Sequence, residues 1–111
     1  MFSFEDTLVA VPGALRVCNN IGRALTILGV YLAVSTAPTT DAIIVDLHKN
    51  GLTVFTTQAN RPQIAAAANT GNTTTIDVPT WADGEYLTCD LDQVGVAGGT
   101  GRNLVVEVVV Q

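Results

Sequence analysis

The dipeptide Asn50-Gly51 constrains this chain more than any other feature, because both residues tolerate the positive φ of a tight hairpin turn and β-rich runs flank them. Before it, Ile43, Val45 and Leu47 alternate with Ile44, Asp46 and His48, the period of two of a half-buried strand. The chain returns over residues 52–57, and Arg61-Pro62 ends the unit, since proline has no amide hydrogen for a ladder. Two registers are open. A two-residue Asn50-Gly51 loop sets Val54 opposite Leu47, whereas a Lys49-Asn50 turn with a bulge at Gly51 sets Phe55 opposite Val45.

The same pattern of short strands and turn residues runs through the rest of the chain. Residues 7–11 read as a first strand closed by Pro12-Gly13, and residues 14–18 as a second closed by Asn19-Asn20 and Gly22. Residues 24–36 form a long strand apolar on both faces, with Leu25, Ile27, Tyr31 and Ala33 on one side, Leu28, Val30, Leu32 and Val34 on the other, and a bend expected at Gly29. Residues 63–68 read as strand or irregular chain: the four alanines favour helix, but Pro62 and a turn expected at residues 69–72 leave little room for one. Strands follow over residues 73–78, over residues 85–94 with Leu87, Cys89 and Leu91 inward, and, after a flexible loop at residues 95–101, over residues 104–111. The expectation is an all-β fold, an antiparallel β-sandwich of about eight strands with jelly-roll-like connections. One domain spans residues 1–111, with residues 1–6 as a candidate N-terminal arm.

Charged residues make up 14% of the chain and hydrophobic ones 48%, well below the roughly 25% charge of an average soluble domain. No apolar run reaches the ~18 residues of a membrane span, and the opening MFSFEDT lacks a basic region before an apolar one, so the reading is no membrane and folding in a cytoplasm. A net charge of −5 with five scattered Lys and Arg opposes nucleic-acid binding. Cys18 and Cys89 are expected to be free thiols, as two cysteines in a leaderless chain are more often reduced than bridged.

Candidate chemistry is sparse. Asp90 and Asp92, with Asp41, Asp46 and Asp83 nearby, lack the loop spacing of a calcium motif and read as a solvated face. His48 is the single histidine, which excludes a two-histidine metal site in one chain, and it reads as a surface neighbour of the turn. Neither Ser3 nor Ser35 lies in a nucleophile context, and the Gly98-Gly99-Thr100-Gly101 run lacks the helix and lysine of a phosphate cradle. No catalytic residue, cofactor or metal is expected. Phe2 and Phe4 are either an arm docking on a partner or a cap on the domain's own core. In the last strand Val105, Glu107 and Val109 form a second face too apolar for open water, so burial between copies is expected, a trimer being the favoured ring, unless loops cover that face and leave a monomer.

The runs Ser35-Thr36-Ala37-Pro38-Thr39, Ala42-Ile43-Ile44-Val45-Asp46-Leu47-His48-Lys49-Asn50-Gly51, Val54-Phe55-Thr56-Thr57-Gln58-Ala59-Asn60-Arg61-Pro62-Gln63-Ile64-Ala65-Ala66 and Gly84-Glu85-Tyr86-Leu87-Thr88-Cys89-Asp90-Leu91-Asp92-Gln93-Val94-Gly95 resemble a β-sandwich module of tailed-bacteriophage virion proteins. The likeness covers residues 24–111 and departs at Thr40, Ala67 and Cys89, where that family has glycine, glycine and valine. It implies a virion structural protein made in a bacterial host's cytoplasm and brings no catalytic residues. Because the chain has no shaft-forming repeat, a capsid decoration protein that clamps the major capsid protein fits better than a glycan-binding tail or fibre tip module. A neck or tail-completion protein is the remaining alternative.

Overall fold

The computed structural model describes residues 2–96 and 98–111. Asn50 and Gly51 have φ of 49° and 88°, so both central residues of the turn are left-handed, and the pairing of His48 with Thr53 and Lys49 with Leu52 makes Asn50-Gly51 a two-residue loop. The Val54 N–H donates to the Leu47 carbonyl at 2.9 Å, which selects the first of the two registers.

Two antiparallel sheets pack face to face. One has the order β1 (Phe2–Thr7), β10 (Arg102–Val110), β3 (Leu25–Thr36), β7 (Thr70–Thr73), with β8 (Thr80–Trp81) pairing the start of β3. The other has the order β2 (Val11–Cys18), β9 (Tyr86–Gln93), β4 (Ile43–Lys49), β5 (Leu52–Thr53), with β6 (Gln63–Ile64) on the same edge of β4. Consecutive long strands alternate between the sheets and the late strands return between the early ones, the jelly-roll order. A single 3₁₀ turn, Gln58–Asn60, is the helical segment among the described residues. The core between the sheets holds Ile27, Val30, Leu32, Val34, Ile43, Val45, Leu47, Val54, Phe55, Ile64, Leu87, Leu91, Leu104 and Val106. Cys89 lies there too, inward between Leu87 and Leu91.

Several sequence expectations need correction. The first strand is Phe2–Thr7, and residues 8–10 are the link to the other sheet, while Pro12-Gly13 lies inside β2, where the register against β9 shifts between Val11 and Leu15. Phe2 is 2% exposed and packed in the core, so it caps the domain's own interior rather than reaching a partner; Phe4 packs partly against the same core. Residues 2–6 are therefore an edge strand on β10, while Met1 lies outside the described residues.

In β3 the expected alternation fails halfway. Leu25 and Ile27 share the buried side with Val30, Leu32 and Val34, because β3 carries an extra residue where Val109 pairs Gly29 and Val110 pairs Ile27. A Cβ at Gly29 would meet the Tyr31 ring at 2.9 Å, so the tyrosine folds over this glycine on the outer side. The bulge thus keeps twelve residues of strand amphipathic although no single alternation runs through them.

The return after the hairpin is shorter than expected. The chain leaves β4 after Thr53, buries Val54 and Phe55, turns through the 3₁₀ segment and rejoins β4 when Ile64 pairs Ile43. Residues 70–73, placed in or beside a turn by their composition, are strand β7, and residues 74–79 are not strand. Asp77 caps this irregular stretch, accepting from the Thr57 N–H at 2.8 Å and the Asn60 side-chain amide at 3.0 Å. Ala97, in the loop expected at residues 95–101, lies outside the described residues; Thr39 N–H donates to the Gly99 carbonyl at 3.0 Å.

Candidate functional site

The outer face of the β1-β10-β3-β7 sheet is built by pairing of distant strands. Glu107 lies opposite Tyr31, which lies opposite Asn72, giving one row across three strands; the next row is Ser3, Val105, Ala33 and Thr70. Side chains on one face of neighbouring strands stand close enough to touch, so the small Ala33 between Val105 and Thr70 leaves a depression. The resulting groove, of about 480 Å³, is lined by Tyr31, Ala33, Val105, Glu107, Thr70 and Asn72. Tyr31 is 42% exposed and Leu28 on the same face 43%. Val105 and Val109 are half-buried and Glu107 is exposed.

This face therefore carries the three residues singled out in the last strand, Val105, Glu107 and Val109, and adds Tyr31, Ala33, Thr70 and Asn72, which the sequence did not group with them. The phase slip at Gly29 is what brings Tyr31 and Ala33 outward without Leu25 and Ile27. No described segment crosses the groove, so half-buried valines, a tyrosine and one carboxylate form an open surface suited to contact with another protein surface.

The outer face of the other sheet is polar. Asp46 and Asp90 are cross-strand partners, and His48 Nδ1 lies 3.1 Å from Asp90 Oδ2 without hydrogen-bond geometry, leaving that buried nitrogen unpartnered. Arg61 meets Asp92 at 2.7 Å, and Arg16 lies 4.5 Å above the Tyr86 ring. Asp46 is not on a solvated face: it is 3% exposed, with Thr53 Oγ1 donating to Oδ1 at 2.6 Å and Gln58 Nε2 donating to Oδ2 at 3.4 Å. His48 is likewise half-buried rather than a free neighbour of the turn. Among the described residues, no group of three or more His, Cys, Asp or Glu could hold a metal ion. Cys18 is exposed and Cys89 buried, both unpaired, and burial pushes the Cys89 thiol far above its ordinary value.

Burial raises the Asp46 carboxyl above the ordinary value of 3.8, opposed by the Thr53 hydroxyl, the charge of His48 and the Gln58 amide, and helped by the charge of Asp92. A raised value in the folded state means that folding favours the protonated form, so the contribution is fully present below the ordinary value and is lost as pH rises through the folded value. Asp46→Asn is neutral at every pH. Its stability relative to the parent is therefore expected to rise from pH 3 to pH 7, read as denaturant midpoints at each pH. A difference that stays constant across that range would show that the buried carboxyl is not perturbed.

Comparison with family models, with curated proteins and with solved structures finds no match for this chain.

Proposed function

We propose that this protein is a bacteriophage virion structural protein, acting as a capsid decoration protein that binds and stabilises the major capsid lattice. The observation that carries the reading is the outer face bearing Tyr31, Leu28, Val105 and Val109, an apolar surface on a fold whose core is already satisfied by its own two sheets. One further feature agrees with it: the likeness of residues 35–66 and 84–95 to virion β-sandwich modules. Binding would be through protein surfaces, to the major capsid protein and to further copies of the chain, with no cofactor.

Electron microscopy of the parent particle tests the location. Density spread over the capsid lattice agrees with decoration, whereas density confined to the tail tip would move the protein to host recognition. The face itself is tested by replacing Val105 and Val109 together with Thr, which keeps β-propensity while removing apolar contact. The variant is expected to stay folded, within about 1 kcal/mol of the parent, and to lose most of its association with copies or capsids. Unchanged association would remove this face from the interface.

A further inference from the structure

The groove on the outer face is acidic and apolar at once, and an exposed turn of the chain carries the opposite charge. Glu107 stands in the groove with no ion-pair partner among the described residues, and Glu5 on the adjoining edge strand likewise adds only negative charge. Of the five cations in the chain, Arg16 lies over Tyr86, Lys49 donates to the Thr80 carbonyl at 2.7 Å and sits 3.9 Å from Glu85, Arg61 pairs Asp92, and Arg102 reaches Asp6 at 3.4 Å. Arg23 alone among these has neither a carboxylate nor an aromatic partner among the described residues; it is exposed, and its guanidinium makes one hydrogen bond among them, to the Ala24 carbonyl at 3.4 Å.

Arg23 belongs to the turn between β2 and β3, which also presents Ile21, 58% exposed. That turn is rigidly held. Asn19 is 2% exposed and donates through its side-chain amide to the Arg23 carbonyl at 3.0 Å and the Trp81 carbonyl at 2.9 Å, while its Oδ1 accepts from the Ile21 N–H at 3.2 Å. Asp83 Oδ1 accepts from the Gly22 N–H at 2.9 Å, and Asp83 makes no ion pair with Arg23 among the described residues. An exposed isoleucine and an unpaired guanidinium are thus displayed two residues apart on a preorganised loop, which lowers the ordering cost of binding.

We infer that the turn at residues 21–23 of one copy seats in the groove of a second copy, Ile21 against Tyr31, Ala33 and Val105, and Arg23 against Glu107. Turn and groove are different surfaces, so the contact is head-to-tail; it builds a ring where the rotation between copies closes and a filament where it does not. Seating desolvates the Arg23–Glu107 pair partly and covers the apolar floor, so each copy both gives a turn and accepts one. The inference rests on the self-association part of the proposed function and supplies its contact residues.

The test is a charge exchange on the intact chain, read by sedimentation velocity. The parent is expected to self-associate. Arg23→Glu and Glu107→Arg, each placing like charges in the contact, are each expected to weaken association by at least about tenfold, and the double variant R23E/E107R to restore it. Both positions are exposed, and unchanged denaturant midpoints of the single variants confirm folding. A monomeric parent, single variants that associate like the parent, or a double variant that stays dissociated would each overturn the contact. If the parent is monomeric yet particles carry its density over the capsid, the head-to-tail contact fails while the virion reading stands; if the charge exchange behaves as expected and particles carry no such density, the reverse holds.

Discussion

Replacing Gly71 with alanine is expected to be among the most damaging single changes in the chain, although it adds one methyl group. Gly71 lies in β7 of one sheet where that strand crosses β6 of the other, and a Cβ there would stand 1.7 Å from the Gln63 carbonyl oxygen, 2.7 Å from its carbon and 3.2 Å from Ile64 Cα. All three are backbone atoms of a segment paired with β4 through Gln63 and Ile64. No side-chain rotation can relieve the contact, so the two sheets must separate locally or β7 must leave β3. Overpacking costs typically 1–3 kcal/mol, and contact with paired backbone places this case at about 3 kcal/mol or more. Against a total of roughly 5–15 kcal/mol, that is a large share of the stability. Urea midpoints should fall with the slope unchanged. A loss below about 0.5 kcal/mol would mean that β6 and β7 do not meet as described.

How far the sequence determined this picture depends on how local each determinant is. The hairpin was legible to its turn residues, because Asn50-Gly51 fixes a local geometry, and β9 was legible because Leu87, Cys89 and Leu91 alternate without interruption. Phe2-Ser3-Phe4 alternates as well, but three residues beside Glu5-Asp6 are too few to distinguish an edge strand from an arm. The bulge at Gly29 inverts the phase of β3, and a glycine in a strand announces a bend without saying which side the following residues take. Residues 70–73 are turn formers held as a strand by pairing with residues 30–33, a tertiary choice that overrides local preference. The groove was illegible for the same reason: Val105, Ala33 and Thr70 come from three separate strands, and only the pairing register brings them together. One departure from the resembled module is physically informative. Ala67, where that family has glycine, has φ of 69°, a conformation that glycine adopts without the cost alanine bears.

Phe55→Ala is expected to match or exceed the loss at Gly71, by emptying space rather than overfilling it. The chain leaves the edge of β4 after Thr53 and drives two consecutive apolar residues, Val54 and Phe55, into the core at zero exposure, so that both face inward instead of alternating. That break in alternation is held on both sides of the phenylalanine: its N–H donates to Thr53 Oγ1 at 3.0 Å, and its carbonyl accepts from Gln58 Nε2 at 2.7 Å. Thr53 and Gln58 also hold the buried Asp46, so the backbone around Phe55 is fixed by the same polar contacts that make the excursion from β4. With its backbone pinned, the site cannot collapse around a missing ring, and the full cavity cost applies, about 3–5 kcal/mol for a buried phenylalanine. Denaturant midpoints and thermal unfolding should both show it, with a fall in melting temperature of order 10–20 °C for a chain of this size. A much smaller loss would show that the excursion relaxes freely. The Asp46, Thr53 and Gln58 contacts would then be followers of the core rather than the frame that positions Phe55 in it.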